Sequence, residues 1–451
     1  MTHIHLIGIG GGGMSVIADL LHAEGWTVTG SDARASATTE RLADSGITLW
    51  IGTEPERLSA DTLVAVSSAI REDNPELARA RQLGARVIHR SQALALASGD
   101  RDFVAVAGAH GKTTTSAMLA VALEEAGQAP SWAIGGSVRG HGSGGHLGTG
   151  KVLVAEADES DASFLNYRPR IALVTNVEPD HLDHYGSREA FEEAFAEFAR
   201  CIVPGGLLIV CGDDAGAARL GAQAVSEGIR VVSYGRGAPL PGVEFHVALE
   251  DGALRCGESR APLSLQVPGS HNELNAAGAA AAGLELGVSL ADMARGLAAF
   301  TGTGRRFELR GEAGGVRLFD DYAHHPTEVE ATLRAARAEA GQGSVRVLFQ
   351  PHLYSRTRNF ADRFATALEL ADTAIVTAVY GARETPFDGI EGDMITSRMG
   401  NAGHFIADKH EAARVLAKSA KPGDLLLTMG AGDVTALGPE ILAALGEGTA
   451  R

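Results

Sequence analysis

The chain contains 451 residues, of which 45% are hydrophobic and 21% are charged, and its formal net charge is -17. This length predicts about three domains, each with its own core. No apolar run reaches the roughly 18 residues that a membrane span needs. The acidic balance argues against a general nucleic-acid binder, because such proteins hold phosphates with clustered Lys and Arg. We therefore expect a multidomain protein that binds neither nucleic acid nor membrane, and nothing in the composition implies a protein partner.

The cysteines and the start of the chain bear on the compartment. Three cysteines, Cys201, Cys211 and Cys256, are odd in number and too scattered to predict a disulfide framework or a zinc knuckle. The first residues run directly into a strand pattern, without the basic region and the cleavage site of a signal peptide. Both features favour a cytoplasmic location.

A first glycine run lies between a strand predicted over residues 4–9 and a helix predicted over residues 14–24. Gly8, Gly10 and Gly13 match GxGxxG, and Asp32 follows the strand predicted over 26–29. Glycines let a diphosphate approach backbone amides at a helix N-terminus, where the helix dipole favours negative charge. The pattern is typical of NAD binding, but any nucleotide diphosphate fits the same physics. A tight turn without a ligand is the remaining alternative.

A second glycine loop, residues 108–115, lies between a strand predicted over 103–107 and a helix predicted over 116–126. Val106 stands where the first glycine of GxxxxGK[ST] would be, which leaves the shorter pattern GxxGKT. Its backbone amides can still cradle phosphates, Lys112 can reach the β and γ groups, and the Thr113 hydroxyl can ligate Mg²⁺. Residues 108–115 are therefore predicted to be a phosphate loop that binds ATP, and the alternative is a chance GKT in a surface turn.

Acidic residues cluster after the next predicted strands, over 152–154 and 171–174. Glu156 follows the first of them, with Asp158 and Glu159 close behind, and these oxygens suit Mg²⁺. His181 and His184 follow the second strand, and they leave structural zinc open as an alternative, although no further ligands have matching spacing. A turn capped by Asp180 would also explain this segment.

The rest of the chain alternates strands with helices, which is typical of parallel α/β layers. The second block continues with a strand over 207–210, and a helix over 274–286 closes it. Residues 301–304 predict a hinge before a third block, and the glycine-rich residues 135–150 predict a mobile surface loop. The strands predicted for the third block cover residues 316–319, 345–349, 374–379 and 425–429.

An ordered series of motifs along nearly the whole chain resembles the Mur ligases, and among them those that join L-alanine to UDP-N-acetylmuramate. The series begins at the first glycine run, includes the phosphate loop and the acidic residues 156–161, and continues into the last third of the chain. The matching segments are residues 5–15, 108–115, 156–161, 176–181, 271–275, 305–307, 320–327, 350–357 and 430–433.

The resemblance implies an α/β protein with the three-domain Mur ligase architecture. Residues 1–99 would form a Rossmann-like domain for the UDP sugar, residues 100–301 a phosphate-loop ATPase domain, and residues 302–451 a Rossmann-like domain for the amino acid. The first glycine run would then hold a UDP diphosphate rather than NAD. The residues implied for the UDP sugar are Gly10, Gly11, Gly12, Gly13, Ser31, Asp32, Ser67 and Ser68.

For ATP and Mg²⁺, the resemblance implies a site around the phosphate loop, with Thr113, Glu156 and His181 serving the metal. Asn272 and Asn275 also suit the nucleotide site independently of the resemblance, since residues i and i+3 lie on one face of a helix. Helix capping by Asn272 is the alternative. The residues implied for ATP are Gly108, Gly111, Lys112, Thr113, Thr114, Asn272, Asn275, Arg306 and Asp321.

In the last third, the resemblance implies that Tyr322, His324, His352 and Arg356 surround the reacting carboxylate and the alanine. Each histidine could instead be a plain hydrogen-bonding residue of a core or turn. Some relatives carry arginine where this chain has Leu353, which puts that contact in doubt. Several Mur relatives use a carbamylated lysine, and residues 187–200 contain no lysine for it.

The implied activity is ATP-dependent ligation of L-alanine to the carboxylate of UDP-N-acetylmuramate through an acyl phosphate, in peptidoglycan precursor synthesis. Lys112, Mg²⁺ and Arg306 would stabilise charge on the transferred phosphoryl group. His324 or His352 would accept the proton of the amine. One alternative is a related ligase that adds a preformed peptide during cell-wall recycling. An NAD-dependent oxidoreductase leaves the phosphate loop unexplained, and a non-catalytic nucleotide-binding regulator leaves the metal-binding acids unexplained.

Overall fold

The structure, a computed structural model, describes residues 3–142, 144–382, 384–386, 389–400 and 402–448, without the side chains of residues 182, 183, 447 and 448. Contacts within the chain divide it into two compact units. One comprises Met1–Gln266 with Glu273–Thr301, and the other comprises Val267–Asn272 with Gly302–Arg451. Two β-sheets belong to the first unit and a third sheet belongs to the second. The α/β class expected from the sequence is confirmed.

Five parallel strands form the N-terminal sheet, in the order β3-β2-β1-β4-β5. Its strands are short apolar runs because helices cover a parallel sheet on both faces. The strand order reverses beside β1, and open sheets of this kind bind ligands outside the carboxyl ends of such strands. The strands are β1 (His3–Ile7), β2 (Thr27–Asp32), β3 (Thr48–Ile51), β4 (Leu63–Val66) and β5 (Val87–His89), and the helices are α1 (Gly12–Ala23), α2 (Ala37–Asp44), α3 (Pro75–Gln82) and α4 (Arg90–Ser98).

The central sheet has ten strands in the order β15-β14-β13-β12-β11-β10-β6-β9-β7-β8, and its edge strands β8, β14 and β15 are antiparallel. Its strands are β6 (Asp102–Ala107), β7 (Ser131–Ala133), β8 (Gly145–His146), β9 (Val152–Glu156), β10 (Ile171–Val174), β11 (Leu207–Cys211), β12 (Arg230–Gly235), β13 (His246–Glu250), β14 (Ala253–Cys256) and β15 (Ser259–Pro262). Its helices are α5 (Lys112–Glu125), α6 (Leu182–Tyr185), α7 (Arg188–Arg200), α8 (Ala215–Ser226), α9 (Ser270–Glu285) and α10 (Leu290–Ala299).

The sheet of the second unit has six strands in the order β16-β17-β21-β18-β19-β20, and only the pair β16–β17 is antiparallel among its described strands. Apolar clusters pack on both of its faces. The strands are β16 (Glu308–Ala313), β17 (Val316–Asp321), β18 (Val345–Phe349), β19 (Thr373–Val376), β20 (Gly403–Phe405) and β21 (Leu425–Met429), and the helices are α11 (Pro326–Ala340), α12 (Tyr354–Leu368), α13 (Asp393–Thr396), α14 (Lys409–Ser419) and α15 (Gly438–Gly448).

Several predicted boundaries were wrong. Helix α5 begins at Lys112 rather than at residue 116, because Gly111, with φ +82°, caps the helix directly after the phosphate loop. The helix predicted to close the second block is α9, but α10 follows it. The predicted surface loop over 135–150 contains β8, and the amide of Ile134 donates to the carbonyl of Gly144. Ser143 of that loop lies outside the described residues, and the mobility of the loop stays a prediction.

Within the part of the chain that the structure describes, no helix combines the length and the apolar character that would let it cross a membrane.

Candidate functional site

The first glycine run forms a turn between β1 and α1 that neighbouring strands hold by their backbone. The amides of Gly8 and Ile9 both donate to the carbonyl of Ser31, at 2.8 and 2.9 Å. The amide of Gly10 donates to Asp32 Oδ2 at 2.9 Å. A Cβ on Gly10 would lie only 2.9 Å from that same oxygen, so a side chain there must displace Asp32.

The other predicted residues of this loop begin the first helix or approach it. Gly11 caps α1 without a side chain, Gly12 is the first helical residue, and a Cβ on Gly13 would lie 3.3 Å from Arg90 Nη1. The amino end of α1 therefore points its backbone amides towards the carboxyl edge of the sheet, as an anion site requires. No pattern in the sequence distinguishes Arg90, which lies beside this turn.

Asp32 ends β2, and Ser67 and Ser68 follow β4, so all three lie at the same sheet edge as the glycine run. Ser67 is half-buried and Ser68 is exposed. Ser31 differs from them, because its side chain is buried and its hydroxyl donates to the carboxylate of Glu76. The Ser31 hydroxyl is therefore bonded to Glu76 inside the protein.

Glu76 is a fully buried carboxylate beneath the glycine run. It accepts hydrogen bonds from the indole of Trp50 at 2.8 Å and the amide of Glu54 at 3.0 Å, in addition to the Ser31 hydroxyl. Burial raises the pKa of Glu76, but hydrogen bonds from His5, Ser31, Glu54 and Trp50 outweigh burial and lower it to about 2. The ionised carboxylate fixes Ser31, whose carbonyl holds the turn. No pattern in the sequence distinguishes Glu76 from a surface glutamate.

The phosphate loop follows β6 and needs glycine at two positions. Gly108 has φ +132°, and a Cβ there would lie 2.1 Å from Thr175 Oγ1. Gly111 also has a positive φ, and a Cβ there would lie 2.7 Å from Asn275 Oδ1. The structure therefore brings Asn275 of α9 against the phosphate loop, and its role towards the nucleotide stays a prediction.

Lys112 folds back over this loop. Its Nζ donates to the carbonyl of Gly108 at 2.6 Å and to Glu159 Oε1 at 2.9 Å. Burial lowers the pKa of Lys112, but the charges of Glu159 and Asp158 outweigh burial and raise it, so the ammonium stays charged. Glu159 is only 1% exposed, and no pattern in the sequence distinguishes it from the other acids of the turn.

The residues predicted for the metal come from three adjacent strand ends. Thr113 lies half-buried in the first turn of α5, after β6, and Glu156 ends β9, where it accepts the amide of Gly135 at 2.7 Å. His181 follows β10 with φ +51°, and its Nε2 lies 3.8 Å from Glu159 Oε1. Thr114 follows Thr113 in the same helical turn.

The predicted metal ligands do not form a closed cluster. Among the described residues, neither Glu156, His181 nor His184 joins a group of three or more converging His, Cys, Asp or Glu side chains. Zinc is therefore not supported. The Asp180 turn is present, since Asp180 is buried and its Oδ1 accepts the amide of His181 at 2.8 Å. Carboxylate and hydroxyl oxygens nevertheless form a donor set that suits Mg²⁺.

In the second unit, Asp321 ties two segments of backbone together. Its buried carboxylate accepts the amides of Phe307 and Ala323, both at 2.7 Å. Burial raises the pKa of Asp321 to about 6, against the opposing charge of Arg306. Arg306 Nη1 lies 3.3 Å from Glu328 Oε1.

Asn272 is the third residue of α9, and its side-chain amide donates to the carbonyl of Pro268 at 2.6 Å. This bond joins the first turn of α9 to the residue two positions before the helix, so Asn272 has a local structural contact at the helix start, and its role towards the nucleotide stays a prediction. Asn275 follows one turn later on the same helix face.

The four residues predicted for the amino-acid site lie together in the second unit. The rings of Tyr322 and His324 are 5.2 Å apart, and those of His324 and His352 are 5.7 Å apart. Arg356 is buried, and its Nη1 lies 3.4 Å from His352 Nδ1. Tyr380, which sequence reasoning missed, stacks on His352 at 5.8 Å.

Leu353 stands between His352 and α12 with φ +70°, and its side chain is buried. Its amide donates to the carbonyl of Tyr380 at 2.9 Å. The apolar side chain therefore contributes to packing rather than charge at the position where some relatives carry arginine.

Three family models match the chain in sequence order. The Mur ligase family catalytic domain matches residues 3–101, the Mur ligase middle domain matches residues 106–283, and the Mur ligase glutamate ligase domain matches residues 305–432.

Full-length relatives agree with these matches. The UDP-N-acetylmuramate–L-alanine ligases of Kineococcus radiotolerans and Renibacterium salmoninarum are 52% and 51% identical, over 99% of this chain and 97% and 96% of theirs. The crystal structure of the UDP-N-acetylmuramate-alanine ligase from Thermotoga maritima has a TM-score of 0.75 at 28% identity, and the match covers 100% of both chains. A murein peptide ligase from Psychrobacter arcticus has a TM-score of 0.68 at 27% identity, over 99% of both chains. The chain belongs to the Mur ligase family.

Proposed function

We propose that this chain ligates L-alanine to the carboxylate of UDP-N-acetylmuramate at the expense of ATP, which gives UDP-N-acetylmuramoyl-L-alanine, ADP and phosphate. The observation that carries the proposal is the identity of about half of all residues, over nearly the full length, to relatives named for this reaction. Peptidoglycan precursor synthesis in the cytoplasm is part of the proposal. The murein peptide ligase of Psychrobacter arcticus, at 27% identity, gives the alternative of a preformed peptide less support.

The UDP sugar binds at the N-terminal sheet edge in this proposal. Gly10, Gly11, Gly12 and Gly13 expose backbone at the amino end of α1, and this arrangement favours a diphosphate. Asp32 shapes the turn through the amide of Gly10. Ser67 and Ser68 lie at the same sheet edge and would contact the UDP sugar. Ser31 contributes indirectly, because its hydroxyl bonds to the buried Glu76.

ATP binds at the phosphate loop in this proposal. Gly108 and Gly111 leave room for phosphates, and Lys112 supplies the positive charge. Thr113, Glu156 and His181 would hold Mg²⁺, which neutralises charge on the phosphates when it is bound. Thr114, Asn272, Asn275, Arg306 and Asp321 complete the set that we assign to the nucleotide.

The chemical difficulty is that a carboxylate does not react with an amine at neutral pH, because its oxygen is a poor leaving group. Transfer of the γ-phosphoryl group forms a bond from phosphorus to a carboxylate oxygen, and the bond to ADP breaks. Lys112 and Arg306 stabilise the negative charge on the transferred group. The product of this step is an acyl phosphate.

In the second step the neutral amine of L-alanine attacks the acyl carbonyl, the amide bond forms and phosphate leaves. His324 or His352 takes the proton that the amine loses. Tyr322 and Arg356 position the reacting groups, and the contact of Arg356 with His352 supports a shared site. Leu353 carries no charge, so in this proposal Arg356 is the main positive side chain that binds the carboxylate in the amino-acid site.

The test measures ADP release by the purified protein with UDP-N-acetylmuramate, ATP, Mg²⁺ and a series of amines. The proposal expects turnover with L-alanine to exceed turnover with a tripeptide by at least a hundredfold. A preference for the peptide would establish the recycling alternative. An absence of ADP release with every amine, from a protein that binds ATP, would contradict the ligase assignment.

A further inference from the structure

Arg90 lies at the edge of the N-terminal sheet where the glycine run lies. It is the first residue of α4, directly after β5, and β5 is parallel to β4. Its Nη1 lies 3.3 Å from the point that a Cβ on Gly13 would occupy. The half-buried guanidinium therefore stands beside the amino end of α1, although nothing in the sequence marks it.

The guanidinium of Arg90 has no hydrogen bond or ion pair among the residues that the structure describes. Arg101, which follows the far end of α4, by contrast pairs with Glu24 at 2.8 Å. The carboxylate of Asp158 attracts the guanidinium through space but does not pair with it directly, so the half-buried cation has no contacting anion in the described part of the chain. Such a cation is costly unless an anion joins it. In a chain of net charge -17, such a cation beside a glycine turn indicates a place for an anionic ligand.

The backbone on either side of Arg90 is anchored. Ser91 Oγ accepts the side-chain amide of Asn166 at 2.8 Å, and it also bonds with His89 Nδ1 at 2.8 Å. His89 Nε2 lies 4.0 Å from Asp161 Oδ2. These contacts tie the start of α4 to the segment between β9 and β10, so they hold the backbone at Arg90 without using its side chain.

We propose that Arg90 is a direct ligand of the diphosphate of the UDP sugar. This inference rests on the proposed function and adds a side chain to a site otherwise built from backbone amides. Helix dipoles supply only partial charge, whereas a guanidinium supplies a full charge and a fork of donors that matches phosphate oxygens. The glycine at position 13 leaves room for the fork, because a larger side chain there would contact it.

The test is calorimetry of UDP, UDP-N-acetylmuramate and ATP with the wild type, Arg90→Gln, Arg90→Lys and the control Arg86→Gln. Arg86 is exposed and precedes β5 at the opposite end of that strand. We expect Arg90→Gln to weaken binding of UDP and UDP-N-acetylmuramate by about tenfold to a hundredfold. Arg90→Lys should weaken it less, and ATP binding and the Arg86 variant should match the wild type.

Binding of UDP to Arg90→Gln within twofold of the wild type would overturn the inference, as would an equal loss in Arg86→Gln. Should Arg90→Gln fail to fold, the comparison of Arg90→Lys with the wild type decides, since the lysine keeps the charge but loses the fork. A wild type that binds neither UDP nor UDP-N-acetylmuramate would contradict the proposed function itself. If the wild type binds UDP and the Arg90→Gln variant binds it equally well, only the role of Arg90 is contradicted.

Discussion

The ammonium of Lys112 lies 2.7 Å from Oε2 of the buried carboxylate of Glu159. The single lysine of the phosphate loop is thus already paired inside the protein, while its Nζ also contacts the carbonyls of Gly108 and Ala109. The pair holds the ammonium over the loop. The phosphates of bound ATP would therefore interact with a Lys112 ammonium that is already positioned but partly neutralised by Glu159.

Lys112→Ala should reduce ADP release by far more than tenfold, because it removes the only lysine that faces the phosphates in the proposed site. It should also lower the free energy of unfolding by about 3 kcal/mol, since Glu159 then remains buried without its cation. The double variant Lys112→Ala/Glu159→Gln should regain most of that stability and none of the activity. Exposed Lys151 provides the control, and Lys151→Ala should behave as the wild type. Activity of Lys112→Ala within tenfold of the wild type would contradict the ATP assignment.

A second prediction concerns the metal. Replacing Glu156 by Gln or His181 by Ala should raise the Mg²⁺ concentration needed for half-maximal activity, or abolish activity, while binding of UDP-N-acetylmuramate persists. Asp161→Asn is the matched control, because Asp161 lies in the same turn and its Oδ1 accepts the amide of Ser163. Magnesium titrations of ADP release measure the effect. Unchanged Mg²⁺ dependence in both the Glu156 and the His181 variants would rule out their role.

Glu76 gives a third prediction. Glu76→Ala leaves the Trp50 indole, the Glu54 amide and the Ser31 hydroxyl without their acceptor, so it should cost about 3 kcal/mol of stability. Because the Ser31 carbonyl holds Gly8 and Ile9, UDP binding should weaken while ATP binding does not.

Glu76→Gln keeps the shape of the side chain and should lose less stability than Glu76→Ala in urea unfolding. Glu72 is a suitable control, since it is exposed and pairs only with Arg81 at the surface. Glu72→Ala should leave UDP binding as it is. Normal UDP affinity in a folded Glu76→Ala protein would show that the carboxylate does not position the glycine turn.

The fourth prediction concerns pH. Burial, with the charge of Arg306, lowers the pKa of His271 to about 4. Between pH 6.5 and 4 the unfolded chain therefore binds a proton that the folded chain does not, so stability falls as the pH falls through this window. The loss reaches about 3 kcal/mol at pH 4. Thermal unfolding of His271→Gln should show a smaller decline over this range than the wild type, and an identical decline would disprove the assignment.

The parts of the fold that follow from local pattern were predictable. The strands over 171–174, 345–349 and 425–429 have the predicted bounds, because buried parallel strands are short apolar runs between breakers. The strands β13, β14 and β15, which lie at one end of the central sheet, were not predicted. Each is only four or five residues long with a short apolar run, so pairing with the neighbouring strands, rather than local sequence, defines them.

In the candidate site, too, some residues were predictable from local sequence pattern and others were not. Both glycine loops could be recognised, since their chemistry needs glycine at fixed spacing between a strand and a helix. Glu76, Glu159 and Arg90 could not, because a charged residue in a helix or turn is usually solvated, and only tertiary packing buries these three. Tyr380 belongs with them, since its contact with His352 joins two segments distant in sequence.

The last prediction separates the two glycine loops. The first fits the dinucleotide pattern, yet in the proposed function it holds UDP, so Gly10→Val should weaken binding of UDP-N-acetylmuramate and leave ATP affinity nearly unchanged. The reason is steric, because a Cβ at Gly10 would lie 2.9 Å from both Asp32 Oδ2 and Thr39 Cγ2. The displaced Asp32 would also lose the amide that it accepts from Gly10.

Lys112→Ala should do the reverse, weakening ATP binding while UDP-N-acetylmuramate binds as in the wild type. NADH should bind to none of the three proteins, since the site would have to accept a nicotinamide where the sugar of UDP-N-acetylmuramate belongs. Calorimetry with the three ligands on the three proteins measures all nine affinities under one buffer condition. Gly446→Val is the control for Gly10→Val, because Gly446 is exposed in α15, outside the proposed site, and a Cβ there meets no atom within 4 Å. Micromolar NADH binding by the wild type that disappears in Gly10→Val would overturn the assignment of the first loop to the UDP sugar.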